Sequence, residues 1–168
     1  RCRAEQALQE SEERYRLAFL TSPDSININR VDDGMYVDIN EGFANIMGYT
    51  REEAIGKTSF DLPVWNDPND RARLIAKLRE DGYCDNLEAE FLSKEGEVKA
   101  GLMSARIITL DGAPHILSIT RDITERKRLD AEARESAILR ADLEKEKEII
   151  ALKERFVSMA PPEFRTPL

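Results

Sequence analysis

Histidine and cysteine are almost missing from this chain, with one His and two Cys in 168 residues. A zinc cluster of the His/Cys kind needs about four such donors, so a structural metal is not expected. Cys2 and Cys84 cannot make a disulfide framework, and a reducing compartment is the natural reading. No Asp-x-Asp-x-Asp-Gly calcium pattern appears. Long apolar runs are lacking as well: nothing approaches the roughly 20 residues that span a bilayer. The opening Arg1-Cys-Arg-Ala-Glu-Gln6 is charged and has no signal-peptide core. These absences point to a cytoplasmic segment, and the start on Arg1 suggests a piece of a longer parent that could be membrane-tethered upstream. Positive charge is also in deficit. The net charge is −8, which disfavours nucleic acid or an anionic membrane as partner.

What is present divides unevenly. The hydrophobic share, 41%, suits a globular domain, whereas 35% charged residues signals an exposed helical segment in addition. The pattern separates a linker helix (1–22), an α/β block (23–124), a long charged helix (125–160) and a short tail (161–168). In the first, Ala7, Leu8, Tyr15, Leu17, Ala18 and Phe19 sit among charges, and Pro23 stops the helix.

In the central block Ile26 and Ile28 alternate with asparagines, and Val37 and Ile39 with Tyr36 and Asp38, as in strands. Asn40 suits a helix N-cap ahead of Phe43, Ile46 and Met47, with Gly48 as the C-terminal glycine. Thr50-Arg-Glu-Glu53 is a capping box, and Asp67-Pro68 places a cap before an N1 proline. Leu87, Ala89 and Phe91 then alternate with Glu88 and Glu90. The turn Lys94-Glu-Gly-Glu97 leads to a strand over about 97–109, and Asp111-Gly112 is a hairpin signal before a last strand, His115 to Ile123. Two strands, short helices and a three-stranded meander make an α+β fold: a five-stranded antiparallel sheet with helices on one face.

The punctuation of this block resembles the PAS domain, a cytoplasmic sensor fold. The matching residues are Ser11-Glu-Glu-Arg-Tyr15, Ile39-Asn40, Phe43, Met47-Gly48-Tyr49, Lys94-Glu-Gly96 and the closing Asp122-Ile-Thr-Glu-Arg126. The resemblance covers residues 11–126. It implies that Asp122, Thr124 and Arg126 transmit signal from the last strand to the helix that follows, with Asp122 capping or pairing at the junction.

That helix contains no Gly or Pro between Glu125 and Ala160, and its Lys and Arg balance its Asp and Glu. Leu129, Ser136, Leu143, Ile150 and Val157 share one heptad position, flanked by Leu139, Ile149, Leu152 and Phe156. At 1.5 Å per residue it reaches about 50 Å. So polar a helix needs a partner, and a parallel homodimer satisfies an identical stripe on both chains. The alternative is a solvated single helix. Arg1 to Leu8 resembles the tail of another such linker.

The chain closes on Phe156-Val-Ser-Met-Ala-Pro-Pro-Glu-Phe-Arg-Thr-Pro-Leu168. This resembles the phosphoacceptor motif of sensor histidine kinases, F-x-x-x-x-S-H-E-[FL]-R-T-P-L, with Pro161-Pro162 in place of Ser-His. Glu163, Arg165, Thr166 and Pro167 match the rest. The resemblance implies a two-component parent, an ATP-dependent transferase feeding a phosphorelay to a response regulator. Pro162 carries no nucleophilic nitrogen, so this chain itself is not expected to be catalytic. Consecutive prolines should also end the helix near Met159.

Other candidates are weaker. His115 could ligate haem, but it falls at a strand start where a satisfied histidine is the ordinary outcome. Cys84, expected in a loop, lacks the surrounding motif of flavin-binding relatives. Ile28, Ile39, Met47, Trp65, Leu74, Leu78, Phe91, Leu102 and Leu117 are expected to converge between sheet and helices. They make either a plain core or a pocket for a small apolar or amphipathic ligand, with Ser104, Ser118 or Thr120 to bond it. No cofactor is expected, and no arginine cluster marks an anion site. The reading is the sensory module of a histidine kinase; the alternatives are a ligand-free dimerising spacer and a scaffold from a degenerate kinase.

Overall fold

The computed structural model describes residues 2–159; those up to 125 form one unit and those from 126 a second. The first opens with α1 (Cys2–Thr21), none of whose residues is buried, and the helix ends ahead of Pro23. Strands β1 (Ser25–Arg30) and β2 (Tyr36–Ile39) follow, then three helices, α2 (Glu41–Met47), α3 (Arg51–Ala54) and α4 (Pro68–Asp81). Strands β3 (Tyr83–Leu92), β4 (Val98–Leu110) and β5 (Ala113–Asp122) complete the sheet. Its order is β2-β1-β5-β4-β3, antiparallel throughout. The first and last strands therefore lie side by side.

The expected caps form. Asn40 accepts from the Phe43 amide at the start of α2, and Gly48 ends it with φ +82°. Thr50 and Glu53 make the reciprocal capping box of α3. Asp67 caps α4 ahead of Pro68. At the β4–β5 hairpin Asp111 and Gly112 both take positive φ (50° and 75°), as a tight hairpin turn with the right twist requires.

Tyr36, Ile39, Phe43, Met47, Val64, Leu74, Leu78, Phe91, Met103 and Ile116 pack in one cluster between the sheet and α2–α4. Two strand details differ from expectation. Val37 is exposed and Tyr36 is buried, because a bulge between Ile28 and Asn29 shifts the pairing and turns the Tyr36 side chain inward. Cys84 lies within β3, paired with Ala105, rather than in a loop. The polar Tyr83-Cys-Asp-Asn86 stretch hides the start of that strand, and a register shift between Cys84 and Leu87 breaks its alternation.

The segment from α2 to α4 is bonded to both margins of the sheet. On the β2 side Tyr36 donates to Lys57 O (2.8 Å) and accepts from Gly56 N (3.1 Å). On the β3 side Leu92 donates to Val64 O (2.8 Å), Glu90 O accepts from Asn66 N (3.1 Å), and Lys94 donates to Met47 O (2.8 Å).

The second unit consists of α5 (Thr124–Met159) beyond its first residues; none of α5 is buried. Leu129, Leu143, Ile150 and Val157 are all more than half exposed. The expected break at Pro161-Pro162 and the motif residues Pro162, Glu163, Arg165, Thr166 and Pro167 lie outside the described residues.

Candidate functional site

A cavity of about 80 Å³ opens between the sheet and the helices. Side chains alternate across a strand, so one face of each strand supplies most of the lining. Ser25, Asn27 and Asn29 of β1, Gly101 and Met103 of β4, and Ile116, Ser118 and Thr120 of β5 form its floor. Phe43, Met47, Val64, Trp65 and Leu74 supply apolar walls. Trp65 and Phe91 stack tilted, with centroids 4.8 Å apart. Gly101 is required here: an added Cβ would fall 2.6 Å from the Phe91 ring.

Met47, Trp65, Leu74 and Phe91 line the cavity as expected from the sequence. Ile39 and Leu78 are buried in the same core without lining it. Ile28, Leu102, Ser104 and Leu117 do not reach it. They alternate with the lining residues and lie on the opposite face of the sheet, where Ile28 pairs with Leu117 and Ser104 with Ile119. The Ser104 hydroxyl there accepts from the Asn86 amide at 3.2 Å. Of the hydroxyls anticipated for ligand bonding, Ser118 and Thr120 are at the cavity. His115 is also on the outer face, its Nδ1 2.9 Å from Ala113 O. It does not line the cavity.

The inward polar residues are deeply placed: Ser118 is 3%, Ser25 4% and Thr120 7% exposed. None of these hydroxyls bonds another described residue, yet none is sealed off as an unsatisfied group. They open on the cavity. Beside Asn29, whose amide donates to Gly34 O (3.0 Å), the Arg71 guanidinium closes one end. Its Nε donates to Ser59 Oγ at 3.2 Å and its carbon lies 4.5 Å over the Phe60 ring. No carboxylate of the described residues pairs with it. Tyr36 lines the same cavity, and burial pushes its phenol well above the usual range while the Arg71 charge pulls the other way. It stays a hydroxyl donor at neutral pH.

At the opposite end Lys99 and Asp122 line the wall, 3.9 Å apart. Asp122 Oδ1 accepts from both the Thr124 amide (2.9 Å) and the Thr124 hydroxyl (2.6 Å). Thr124 Oγ1 in turn accepts from the Ala100 amide at 2.9 Å, and Ala100 O accepts from Ile123 N at 2.9 Å. Asp122 and Ala100 are therefore cavity residues that also bind the first residue of α5. Arg126 makes no hydrogen bond or ion pair among the described residues.

This fold, with its cavity beneath short helices and its Asp-Ile-Thr exit, can be compared with known proteins. The profile of the PAS domain matches residues 23–125, well over half of the chain. The chain belongs to the PAS domain family. Among curated proteins it is similar to the methyl sulfide methyltransferase-associated sensor of Methanosarcina acetivorans, 32% identical over 134 residues. That match covers 78% of this chain and 13% of the relative, so the chain spans about an eighth of the curated protein. The PAS domain of an HTR-like protein from Haloarcula marismortui superposes with TM-score 0.60 at 25% identity, over 73% of this chain and all of that one. A domain of a sensory box sensor histidine kinase/response regulator from Geobacter sulfurreducens gives 0.55 at 26%, over 68% of this chain and 96% of that one. Among the described residues of this PAS protein, no helix is long and apolar enough to cross a membrane.

Sequence reasoning missed two features of this PAS site. Arg71 is one arginine among several on a charged helix, and only the placement of Gly34, Ser59 and Phe60 distinguishes it. Tyr36 was hidden by the bulge. The inward run Ser25, Asn27, Asn29 is legible as the alternate set to Ile26 and Ile28, but apolar character alone favours the other set for the interior.

Proposed function

We propose that this chain is the sensory module of a two-component histidine kinase, reading a small molecule in its PAS cavity and passing the outcome through paired α5 helices. The observation that carries this reading is the bonded junction Asp122–Thr124–Ala100, in which cavity-wall residues hold the start of α5. A guest that moved β4 or β5 would change the partners of Thr124. Population shift needs such a differential contact, because a ligand moves an equilibrium only by binding its two states unequally. The exposed heptad line of α5 supports a parallel homodimer, and the altered phosphoacceptor-like tail supports a kinase parent using ATP and a response regulator. In that parent the helix pair would carry the signal onward, and the prolines would remove this chain from the phosphorylation step itself.

Thr124→Val tests the junction with little change of volume. We expect the amides of Thr124 to Lys127 and of Ala100 to exchange at least tenfold faster, with exchange across β1 and β5 unchanged. In the complete parent, output should become insensitive to its stimulus. Unchanged exchange at the start of α5 together with unchanged regulation would defeat the reading.

A further inference from the structure

The sensor reading leaves the chemistry of the guest open, and two independent features of the cavity restrict it. One is a cation with no carboxylate partner among the described residues. The Arg71 guanidinium uses Nε on Ser59 and its face on Phe60, which leaves its terminal nitrogens, one of them beside Gly34, without a carboxylate among the described residues. The nearby acids are engaged elsewhere: Asp70 pairs with Arg73 and accepts from the Glu90 amide, and Asp61 accepts from Thr58. The chain carries an excess of negative charge, so an unpaired arginine at a cavity wall is not explained by a shortage of carboxylates.

The other feature is a strip of unpartnered, more than nine-tenths buried donors and acceptors. Ser25, Ser118 and Thr120 offer hydroxyls on the floor, and Tyr36 offers its hydroxyl from β2. Apolar surface faces it from Phe43, Met47, Val64 and Trp65. A guanidinium donates in the geometry a carboxylate accepts, since its two oxygens can take parallel bonds, and the Tyr36 phenol lines the same cavity within reach of the Arg71 charge. The volume sets the size. About 80 Å³ is roughly half of the ~150 Å³ that accommodates benzene, a size that suits a short chain.

We propose that the cavity binds a short-chain carboxylic acid, its carboxylate held by Arg71 and Tyr36 and its short body lying between the Ser118–Thr120 strip and the Phe43–Met47–Val64 wall. This deepens the sensor reading and rests on it. Arg71 supplies the charge selection and the hydroxyl strip tolerates a hydroxyl on the chain, so lactate should bind as well as propionate. The Lys99–Asp122 pair at the far end is self-neutralised and does not compete for the anion.

The test uses the whole chain, labelled for amide NMR, titrated in parallel with propionate, lactate, propionamide and propylamine. We expect propionate and lactate to move the amides of Tyr36, Arg71, Ser118 and Thr120 saturably, and propionamide to bind at least tenfold more weakly. Arg71→Met should weaken propionate at least tenfold while leaving propionamide unchanged. Tyr36→Phe should weaken propionate by a smaller factor, and both variants should keep the wild-type spectrum of β3 and β4 as evidence of folding. Equal binding of acid and amide, or an Arg71→Met variant that binds propionate as before, overturns the carboxylate assignment while leaving a ligand sensor intact. If none of the four compounds binds, and a neutral apolar molecule co-purifies in native mass spectrometry, the assignment also fails and the sensor reading survives. Should nothing bind and nothing co-purify, while Ser118→Leu fills the cavity and leaves regulation of the parent unaltered, both fall.

Discussion

Asn40 is 2% exposed and spends its whole side chain on backbone. Its oxygen accepts from Ile26 N (2.8 Å) and Phe43 N (2.9 Å), and its amide donates to Phe19 O (2.9 Å) and Asp24 O (3.0 Å). The sequence marks it only as a helix cap, yet it joins the end of α1, β1 and α2. Gly42 belongs to the same knot, since a Cβ there would lie 2.1 Å from Asp24 O. Asn40→Ala leaves buried donors and acceptors without partners and should cost about 2–4 kcal/mol, read from urea denaturation. Asn40→Asp keeps the acceptor bonds but turns a carboxylate oxygen toward the Phe19 and Asp24 carbonyls, and should cost at least as much. Asp33 illustrates a solvent-exposed case. Its hydrogen bond from Arg30, aided by the Met35 amide, lowers its carboxyl from the ordinary 3.8 to about 2. A carboxyl depressed on folding favours the folded chain above the unfolded value, so this turn contributes fully above about pH 4 and fades as pH falls toward 2. Carbon-detected NMR should give an Asp33 midpoint near 2, rising in Arg30→Gln but staying below 3.8 because the Met35 amide still donates to it.

At the level of elements, the number, type and order of strands and helices were legible because turn and cap residues fix them locally: Asn40, Thr50 with Glu53, Asp67-Pro68 and Asp111-Gly112 each form the expected feature. Which side of each strand faces inward was not legible. Ile28, Leu102 and Leu117 obey the period of a strand but sit on the outer face, since both faces of the central strands carry apolar residues and the inner one also carries Ser25, Asn27, Ser118 and Thr120. Periodicity gives a phase relation within one strand; only the pairing register and the bulge at Ile28/Asn29 relate strands to one another. Four of the anticipated cavity residues, Ile28, Leu102, Ser104 and Leu117, are therefore misplaced for one physical reason. On α5 the pattern has a simpler consequence. Leu143 and Ile150 occupy the same heptad position and are 56% and 54% exposed on the single chain. Replacing both with Asp should weaken self-association at least tenfold in sedimentation equilibrium, a change of about 1.4 kcal/mol or more. Equal association of the wild type and the double variant would remove the paired-helix element of the proposal.

For the molecule as a whole, the cavity contains a cation at one end and a helix-start junction at the other, so binding and output would occupy opposite ends of the same strands, β1, β4 and β5. The bonds that attach the α2–α4 segment to the sheet bear on how copies could meet. Tyr36 of β2 is occupied by Gly56 and Lys57, while Glu90 and Leu92 of β3 are occupied by Val64 and Asn66. Stretches of backbone that would otherwise template a neighbour's strand on either flank are already spent, which is a known guard against uncontrolled β-aggregation. Zipper-like growth by a twin is thereby obstructed at those positions. Assembly is steered instead toward side-chain surfaces, where recognition depends on sequence and can stop at two.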